Sequence, residues 1–362
     1  MKILNIPGRL MCPVEPKRTV HTGCILEFDK EIDVDCLKVA LDKTLKCYPY
    51  LSCTHIIEDN NPYFVENDAP VPIINSEYGV SPLSDASNNH FLGLSHFDKT
   101  LRVVLSHIYT DGFGISCVAL TLVYYYARER YNQDFKIGNV INLENTYKEL
   151  QVRSYSDLDY KDVDMSVLDK KYCDCECLRF EDLCEDASIK QNNQVVVTVD
   201  AKKFVELSKT FNASPSVAAV ILSAKSAYDY NDYDGDKKFC CRITVDGRKV
   251  LGLPVSMFNC SFASHYQIDK DEVSSNEAMQ KLGQRVRSQL KEQASKEYVS
   301  AQAKSFVDGK MRAAIPSTTL SISYMGILDF GEITPHLTNV QVIEESDRKI
   351  NMYQFNDRIH FV

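Results

Sequence analysis

The sequence predicts an α/β protein with two similar domains, and three observations support this. A chain of 362 residues is too long for one ordinary hydrophobic core. Both halves contain strand patterns mixed with helix patterns, which is typical of helices packed on sheets. Between about residues 142 and 190 the chain is acidic and poor in apolar residues. We therefore expect an N-terminal domain over 1–150, an acidic linker or crossover over 151–190 and a C-terminal domain over 191–362.

Composition and charge narrow the function classes. Hydrophobic residues make up 44% of the chain and charged residues 25%, as in a globular protein. The formal net charge of −9 argues against a nucleic-acid partner. No apolar run reaches the ~18 residues of a membrane span, and "MKILNIPGRL" lacks the apolar core of a signal peptide. The 13 scattered cysteines then predict reduced thiols in a cytoplasmic protein.

The N-terminal half begins with a predicted strand over 22–30, "TGCILEFDK". A helix follows over 34–51 with Leu residues at helical spacing, and Pro49 ends it because proline lacks the amide donor. "SCTHIIE" and "PYFVEN" are short strands around the turn "DNNP". "TLRVVLSHI", residues 100–108, is a buried strand, and the apolar text after Gly114 predicts a core helix.

The C-terminal half resumes with a predicted strand over 194–200, "QVVVTVD". Two helices follow, "AKKFVELSKTFN" and "SPSVAAVILSAKSAYDY", and the second has Ser214 as N-cap and Pro215 in its first turn. "KFCCRITVDGR" predicts a strand and "NEAMQKLGQRVRSQLKEQ" a long amphipathic helix. "TLSISYMGIL" and "LTNVQVIEE" predict the closing strands.

One stretch, "SHIYTDGFGI" over 106–115, combines polar groups with the end of a buried strand. An imidazole such as that of His107 can act as a general base, because its ordinary pKa of about 6.5 lies near working pH. Asp111 would orient that ring or pair elsewhere. Gly112 would let the backbone turn, and Gly114 would keep the passage free of side chains. On spacing alone, a core histidine beside a helix-capping aspartate is the better interpretation.

The same stretch resembles the HxxxDG signature of the chloramphenicol-acetyltransferase-like superfamily, which includes coenzyme A-dependent acyltransferases, alcohol acetyltransferases and condensation domains. "CLKVALDKTLKCYPYLSCTHI" resembles the opening helix of these proteins. "ITVDGRKVLGLPVSMFNC" (243–260) is similar to their second block, and "SISYMG" (321–326) to a late strand that faces the histidine. The order of these segments agrees over most of the chain. The resemblance implies two similar domains, mixed sheets flanked by helices and an active-site tunnel between the domains.

The resemblance also implies a reaction and roles for particular residues. His107 would take a proton from an alcohol or amine acceptor, which then attacks the thioester of acyl-coenzyme A without a covalent acyl-enzyme. Coenzyme A would be a cosubstrate, with no permanently bound cofactor. Asp111 would pair with Arg248 of "VDGR" as a rigid brace. The donor to the tetrahedral oxyanion would be one of three residues, Asn259, Ser321 or Ser323.

Two alternatives remain open. A stand-alone condensation enzyme would take its acyl group from an acyl carrier protein, although the acidic balance does not favour docking of an acidic carrier helix. A non-catalytic binding module would keep the brace of Asp111 and Arg248 and would not need His107. "DFGEI" over 329–333 matches only three letters of the plant motif "DFGWG", so a plant-type acceptor is not inferred.

A second cysteine-rich stretch, "YCDCECL" over 172–178, places three thiols two residues apart, with Cys184 nearby. Zinc sites usually take four ligands as two pairs, with each pair spaced by two to four residues. Three cysteines with acidic neighbours fit that pattern poorly. We therefore expect no metal site from the sequence.

Overall fold

The computed structural model describes most of the chain as regular secondary structure and defined loops. The described residues are 2–4, 20–59, 61–137, 153–179, 182, 194–230, 233, 235–309, 318–344 and 348–362. They include the strands β1 (Lys2–Leu4), β2 (His21–Phe28), β3 (Thr54–Glu58), β4 (Asn61–Val65), β5 (Ile73–Asn75), β6 (Leu92–Phe97), β7 (Thr100–Ser106), β8 (Val197–Asp200), β9 (Phe239–Asp246), β10 (Ser261–Ile268), β11 (Leu320–Ile327), β12 (Leu337–Glu344), β13 (Lys349–Phe355) and β14 (Arg358–Phe361). They also include the helices α1 (Val34–Cys47), α2 (Gly112–Tyr131), α3 (Ala201–Thr210), α4 (Pro215–Asp229), α5 (Arg248–Leu251), α6 (Asn276–Gln293) and α7 (Lys296–Val307).

The chain forms two compact units, and each is assembled from separate segments of the sequence. The first unit comprises Met1–Leu158, Gly252–Cys260 and Ile327–Ser346. The second unit comprises Asp159–Leu251, Ser261–Gly326 and Asp347–Val362. The acidic stretch expected as a linker is described only in part, because 151–152, 180–181 and 183–190 lie outside the described residues.

The first unit contains a five-stranded sheet in the order β12-β2-β7-β6-β5 and a three-stranded sheet in the order β1-β4-β3. In the larger sheet β5 runs parallel to β6, and the other pairs are antiparallel. The edge strand β12 comes from the end of the chain and pairs with β2, with Glu344 opposite Thr22. This long-range pairing places 337–344 in the first unit, whereas the sequence pattern assigns it to the C-terminal domain.

The second unit contains a six-stranded sheet in the order β10-β9-β11-β13-β14-β8. Strands β9 and β10 are antiparallel over eight residue pairs, and β11 runs parallel to β9. The core of this unit joins the sheet to α4, α3 and α6 through buried apolar side chains. Strand β10, helix α7 and the closing strands β13 and β14 are absent from the sequence-based assignment.

Helix ends follow the expected chemistry. Helix α1 ends at Cys47, just before Pro49, and the Asp33 side chain accepts hydrogen bonds from two amides of its first turn. Helix α4 begins at Pro215 with Ser214 as N-cap, as predicted. The hydroxyl of Ser214 lies 3.2 Å from that of Ser216 and makes no hydrogen bond to the helix backbone. Among the described residues, no helix is both long enough and apolar enough to span a membrane.

Candidate active site

His107 lies in the first turn after strand β7, at the point where the chain leaves the five-stranded sheet. Its backbone amide donates to the carbonyl of Val20 at 2.8 Å, which ties the turn to the residue before β2. The residue is only 5% exposed. The imidazole therefore sits in a mostly dry environment, where nearby dipoles and charges act strongly on it.

Two polar side chains face the two ring nitrogens of His107. The Nδ2 atom of Asn259 lies 3.5 Å from Nδ1, and the Oε1 atom of Glu344 lies 3.6 Å from Nε2. The Glu344 side chain is 9% exposed. An amide donor beside Nδ1 favours a lone pair there, and a carboxylate beside Nε2 favours a proton there. The two contacts thus favour the same neutral tautomer, in which Nδ1 carries the lone pair and faces the Asn259 amide.

Glu344 was not singled out in the sequence. It is the last residue of β12, and the pairing of β12 with β2 carries its carboxylate to His107. The local sequence "LTNVQVIEE" predicts a strand but does not predict its pairing partner. A buried carboxylate at ion-pair distance stabilises an imidazolium if the ring takes up a proton.

A second histidine lies beside His107. His21 begins β2 and stands opposite Ser106 in the pairing of β2 with β7. Burial, and to a lesser degree the positive charge that His107 can carry, lower the pKa of His21 to about 4. His21 is therefore neutral at neutral pH. The Glu344 carboxylate lies beside the other ring, that of His107.

The protein should lose stability as the pH falls from about 6.5 to about 4. Burial lowers the pKa of His21 and of His265 to about 4 in the folded chain, whereas unfolded histidine titrates near 6.5. The unfolded state then binds more protons over this range, so acid favours unfolding by about 3 kcal/mol per histidine. Urea unfolding at pH 7.5, 6 and 5 measures the slope. The variant His265→Gln should show a shallower slope than the wild type, and an equal slope would contradict the assignment.

Asp111 is the N-cap of α2 and is 2% exposed. Its Oδ1 accepts from the amides of Phe113 at 3.1 Å and Gly114 at 3.4 Å, and its Oδ2 accepts from the amide of Cys260 at 2.9 Å. The carboxylate therefore joins the start of α2 to the segment that carries Asn259, the residue before Cys260. The Asp111 side chain thus connects the segment after His107 with the segment that carries Asn259.

The two glycines of the motif have different roles. A Cβ on Gly114 would lie 1.8 Å from the Oγ1 atom of Thr110, so only glycine fits this close approach. Gly112 is the first residue of α2, and it does not have a positive φ. The preceding residue, Asp111, has an extended backbone, and the turn expected from Gly112 stays a prediction.

The remaining residues singled out in the sequence lie in the second unit. Arg248 begins α5 with a side chain 2% exposed, and its Nη1 donates to Asp246 Oδ1 at 3.0 Å. Ser321 is buried in β11 and its amide donates to the carbonyl of Arg348, while Ser323 is half-buried two residues further on. The pairing of Asp111 with Arg248 stays a prediction.

No protein-family model and no curated protein matches the sequence. Solved structures match over the whole chain. TRI101 of F. graminearum, complexed with coenzyme A and deoxynivalenol, is 14% identical, with a TM-score of 0.68 over 100% of this chain and 94% of that chain.

Two further solved structures have the same architecture. TRI3, a trichothecene 15-O-acetyltransferase from Fusarium sporotrichioides, is 11% identical, with a TM-score of 0.59 over 99% of this chain and 90% of that chain. The epimerization domain of tyrocidine synthetase B is 8% identical, with a TM-score of 0.58 over 95% of this chain and 85% of that chain. The chain therefore has the α/β fold of the chloramphenicol-acetyltransferase-like proteins, as the sequence predicts.

Proposed function

We propose that this protein is an acyltransferase that moves an acyl group from a coenzyme A thioester to a hydroxyl or amine of a small molecule, with His107 as the general base. The observation that carries the proposal is the buried contact of His107 with Asn259 and Glu344. The fold supports it, since TRI101, which has the same fold, is complexed with coenzyme A. Fold alone does not specify function, so the argument rests on the site.

The proposed reaction follows from the tautomer of His107. The Nδ1 lone pair takes the proton of the acceptor as its oxygen or nitrogen attacks the thioester carbonyl. The tetrahedral intermediate then collapses, the carbon–sulfur bond breaks, and the coenzyme A thiolate receives the proton from the imidazolium. No side chain becomes acylated. Glu344 stabilises the imidazolium between the two proton transfers.

Asn259 is the best of the three candidates for the oxyanion donor. Its amide nitrogen lies 3.5 Å from His107 Nδ1, so with an acceptor at Nδ1 the amide would donate to the carbonyl oxygen beside the base. An amide donor at that place stabilises the negative charge that develops on the carbonyl oxygen. Ser321 and Ser323 remain candidates for the oxyanion donor. The pairing of Asp111 with Arg248 remains a separate prediction about the support of the site.

Replacing Glu344 with glutamine should lower kcat/KM by about 10–100-fold, because a hydrogen bond or ion pair to a charged group contributes about 1.5–3 kcal/mol. The loss should appear mainly in kcat, since Glu344 acts on the protonated ring formed during the reaction. Steady-state kinetics with a working donor and acceptor measures the change. The exposed Glu332→Gln provides a control in the same unit. An unchanged kcat in Glu344→Gln would remove Glu344 from the mechanism.

The donor can be tested directly. The purified protein is incubated with acetyl-coenzyme A or with an acetylated carrier protein, together with a panel of small alcohols and amines, and the products are identified by mass spectrometry. Acyl transfer from the coenzyme A thioester is expected. Transfer only from the carrier protein would support the condensation-type alternative. Calorimetry that detects no coenzyme A binding, together with no product, would support the non-catalytic alternative.

A further inference from the structure

Four cysteine side chains converge in the second unit. Three of them come from "YCDCECL" and the fourth, Cys240, comes from β9. The sulfur atoms of Cys173, Cys175 and Cys240 all lie within 4.8 Å of one another, and those of Cys175 and Cys240 are 3.4 Å apart. Cys177 packs in the same buried group. We call these four residues the four-cysteine cluster.

The backbone of the cysteine-rich segment is bent so that its thiols meet. In a straight strand, residues two apart are separated by about 6.6 Å, which would put Cys173 and Cys177 about 13 Å apart. Bends at Tyr172 and Cys175 shorten this path. A parallel bridge of Cys177 to Lys238 then fixes the segment beside the start of β9.

Hydrogen bonds hold the segment and the strand in this arrangement. The amide of Leu178 donates to the carbonyl of Lys238 at 2.8 Å. The Thr319 hydroxyl donates to the carbonyl of Leu178 at 2.6 Å and accepts from the amide of Cys240 at 3.0 Å. The Thr319 amide donates in turn to the Cys240 carbonyl at 2.7 Å. One residue thus connects the two chain segments that supply the sulfur atoms.

Ordinary core packing does not account for this arrangement. A buried cysteine usually behaves as a small apolar side chain among other apolar side chains. Cys241 does so, since it lies in the apolar core of the unit. Its neighbour Cys240 instead joins a cluster whose described members are all cysteines, and none of them forms a disulfide. Three sulfur atoms within 4.8 Å of one another, with a fourth cysteine packed beside them, form the donor set of a thiolate metal site.

We propose that the four-cysteine cluster binds a zinc ion through the thiolates of Cys173, Cys175, Cys177 and Cys240. Zinc–sulfur bonds of about 2.3 Å in a tetrahedron place the sulfur atoms about 3.8 Å apart. The separations among the sulfur atoms of Cys173, Cys175 and Cys240, from 3.4 Å to within 4.8 Å, surround that value, and Cys177 packs beside them as the proposed fourth ligand. Each thiol gives up its proton to solvent when it binds the ion. With four thiolate ligands, the ion would have no open position for a substrate, as in a structural zinc site; Cys173, Cys177 and Cys240 are buried and Cys175 is half-buried.

Soft sulfur ligands in tetrahedral number select zinc over magnesium and calcium, which prefer oxygen. The site would fasten the segment 172–178 to β9. The sequence pattern suggests no metal because three cysteines two residues apart with acidic neighbours fit the usual zinc pairs poorly, and Cys240 lies 65 residues after Cys175. Cys184 lies outside the described residues. This inference does not depend on the proposed acyl transfer.

The test is metal analysis of the full chain, purified under reducing conditions. Inductively coupled plasma mass spectrometry should find one zinc ion per chain in the wild type. Cys175→Ser and Cys240→Ser should lose it, and the control Cys36→Ser, which changes a half-buried cysteine on α1, should retain it. X-ray absorption spectroscopy of the wild type should show four sulfur neighbours at about 2.3 Å. After exchange with Co²⁺, the wild type should show the visible absorption of tetrahedral cobalt with thiolate ligands.

The wild-type measurements stand even if a cysteine variant does not fold. Wild-type protein that binds neither zinc nor cobalt after reduction would overturn the proposal. Zinc retained by a folded Cys240→Ser would place the ion elsewhere. A mass lowered by the loss of hydrogen atoms from cysteine pairs in the reduced preparation would identify disulfides, and it would also overturn the proposal.

Discussion

Replacing His107 with asparagine is expected to lower kcat/KM for acyl transfer by about 10²–10⁴-fold, the usual contribution of a positioned general base. The loss should appear in kcat, because the proton moves in the chemical step. Asparagine keeps a polar side chain of similar size in the buried site but accepts no proton near neutral pH. The measurement is steady-state kinetics with coenzyme A as the released product.

The control for this variant is His96→Gln, which changes a half-buried histidine of β6 in the same unit. Its activity should equal that of the wild type. Circular dichroism and thermal unfolding should show that both variants fold. A folded His107→Asn protein with wild-type turnover would exclude His107 as the base and would leave only the fold as support for the proposed function.

Replacing Asp111 with alanine is expected to lower the free energy of unfolding by about 3 kcal/mol. The variant removes the N-cap of α2, which contributes about 1 kcal/mol. It also leaves the buried amide of Cys260 without its carboxylate acceptor, which costs a further 1–3 kcal/mol or so. Urea unfolding measures the loss. A decrease below about 1 kcal/mol would contradict the structural role of Asp111.

The variant Asp111→Asn separates the two functions of this side chain. Asparagine is as good an N-cap as aspartate, but one end of its amide cannot accept from the Cys260 amide. Its stability should therefore lie between that of the wild type and that of Asp111→Ala. If Asp111→Asn keeps most of its free energy of unfolding but loses most of its kcat/KM for acyl transfer, Asp111 takes part in the chemistry. The structural brace would then not be its main role.

The predicted pair of Asp111 with Arg248 has its own test. A double-mutant cycle with Asp111→Ala and Arg248→Ala should give a coupling energy of about 1 kcal/mol or more if the two side chains interact. Additive losses, within about 0.5 kcal/mol, would show that Arg248 acts through Asp246, to which it is hydrogen-bonded.

Much of the local structure could be read from the sequence because it depends on near neighbours. Helix α1 ends two residues before Pro49, α4 begins at Pro215, and Asp111 is the N-cap of α2. Each of these effects acts within one helical turn. The HxxxDG resemblance placed the candidate base, and the solved structures of the same fold agree with that class of architecture.

The sequence by itself determined the fold class, the principal helices and strands and the turn that carries His107. Only the tertiary structure decided that Glu344 reaches His107 and that Cys240 joins the three cysteines of "YCDCECL". Helical and strand periodicity record which face of an element is buried, and this is a property of a few consecutive residues. Strand partners and registers depend instead on segments far apart in the chain, as β12 and β2 are. No local sequence pattern therefore predicts that the Glu344 carboxylate lies beside His107 or that Cys240 joins the cysteine cluster.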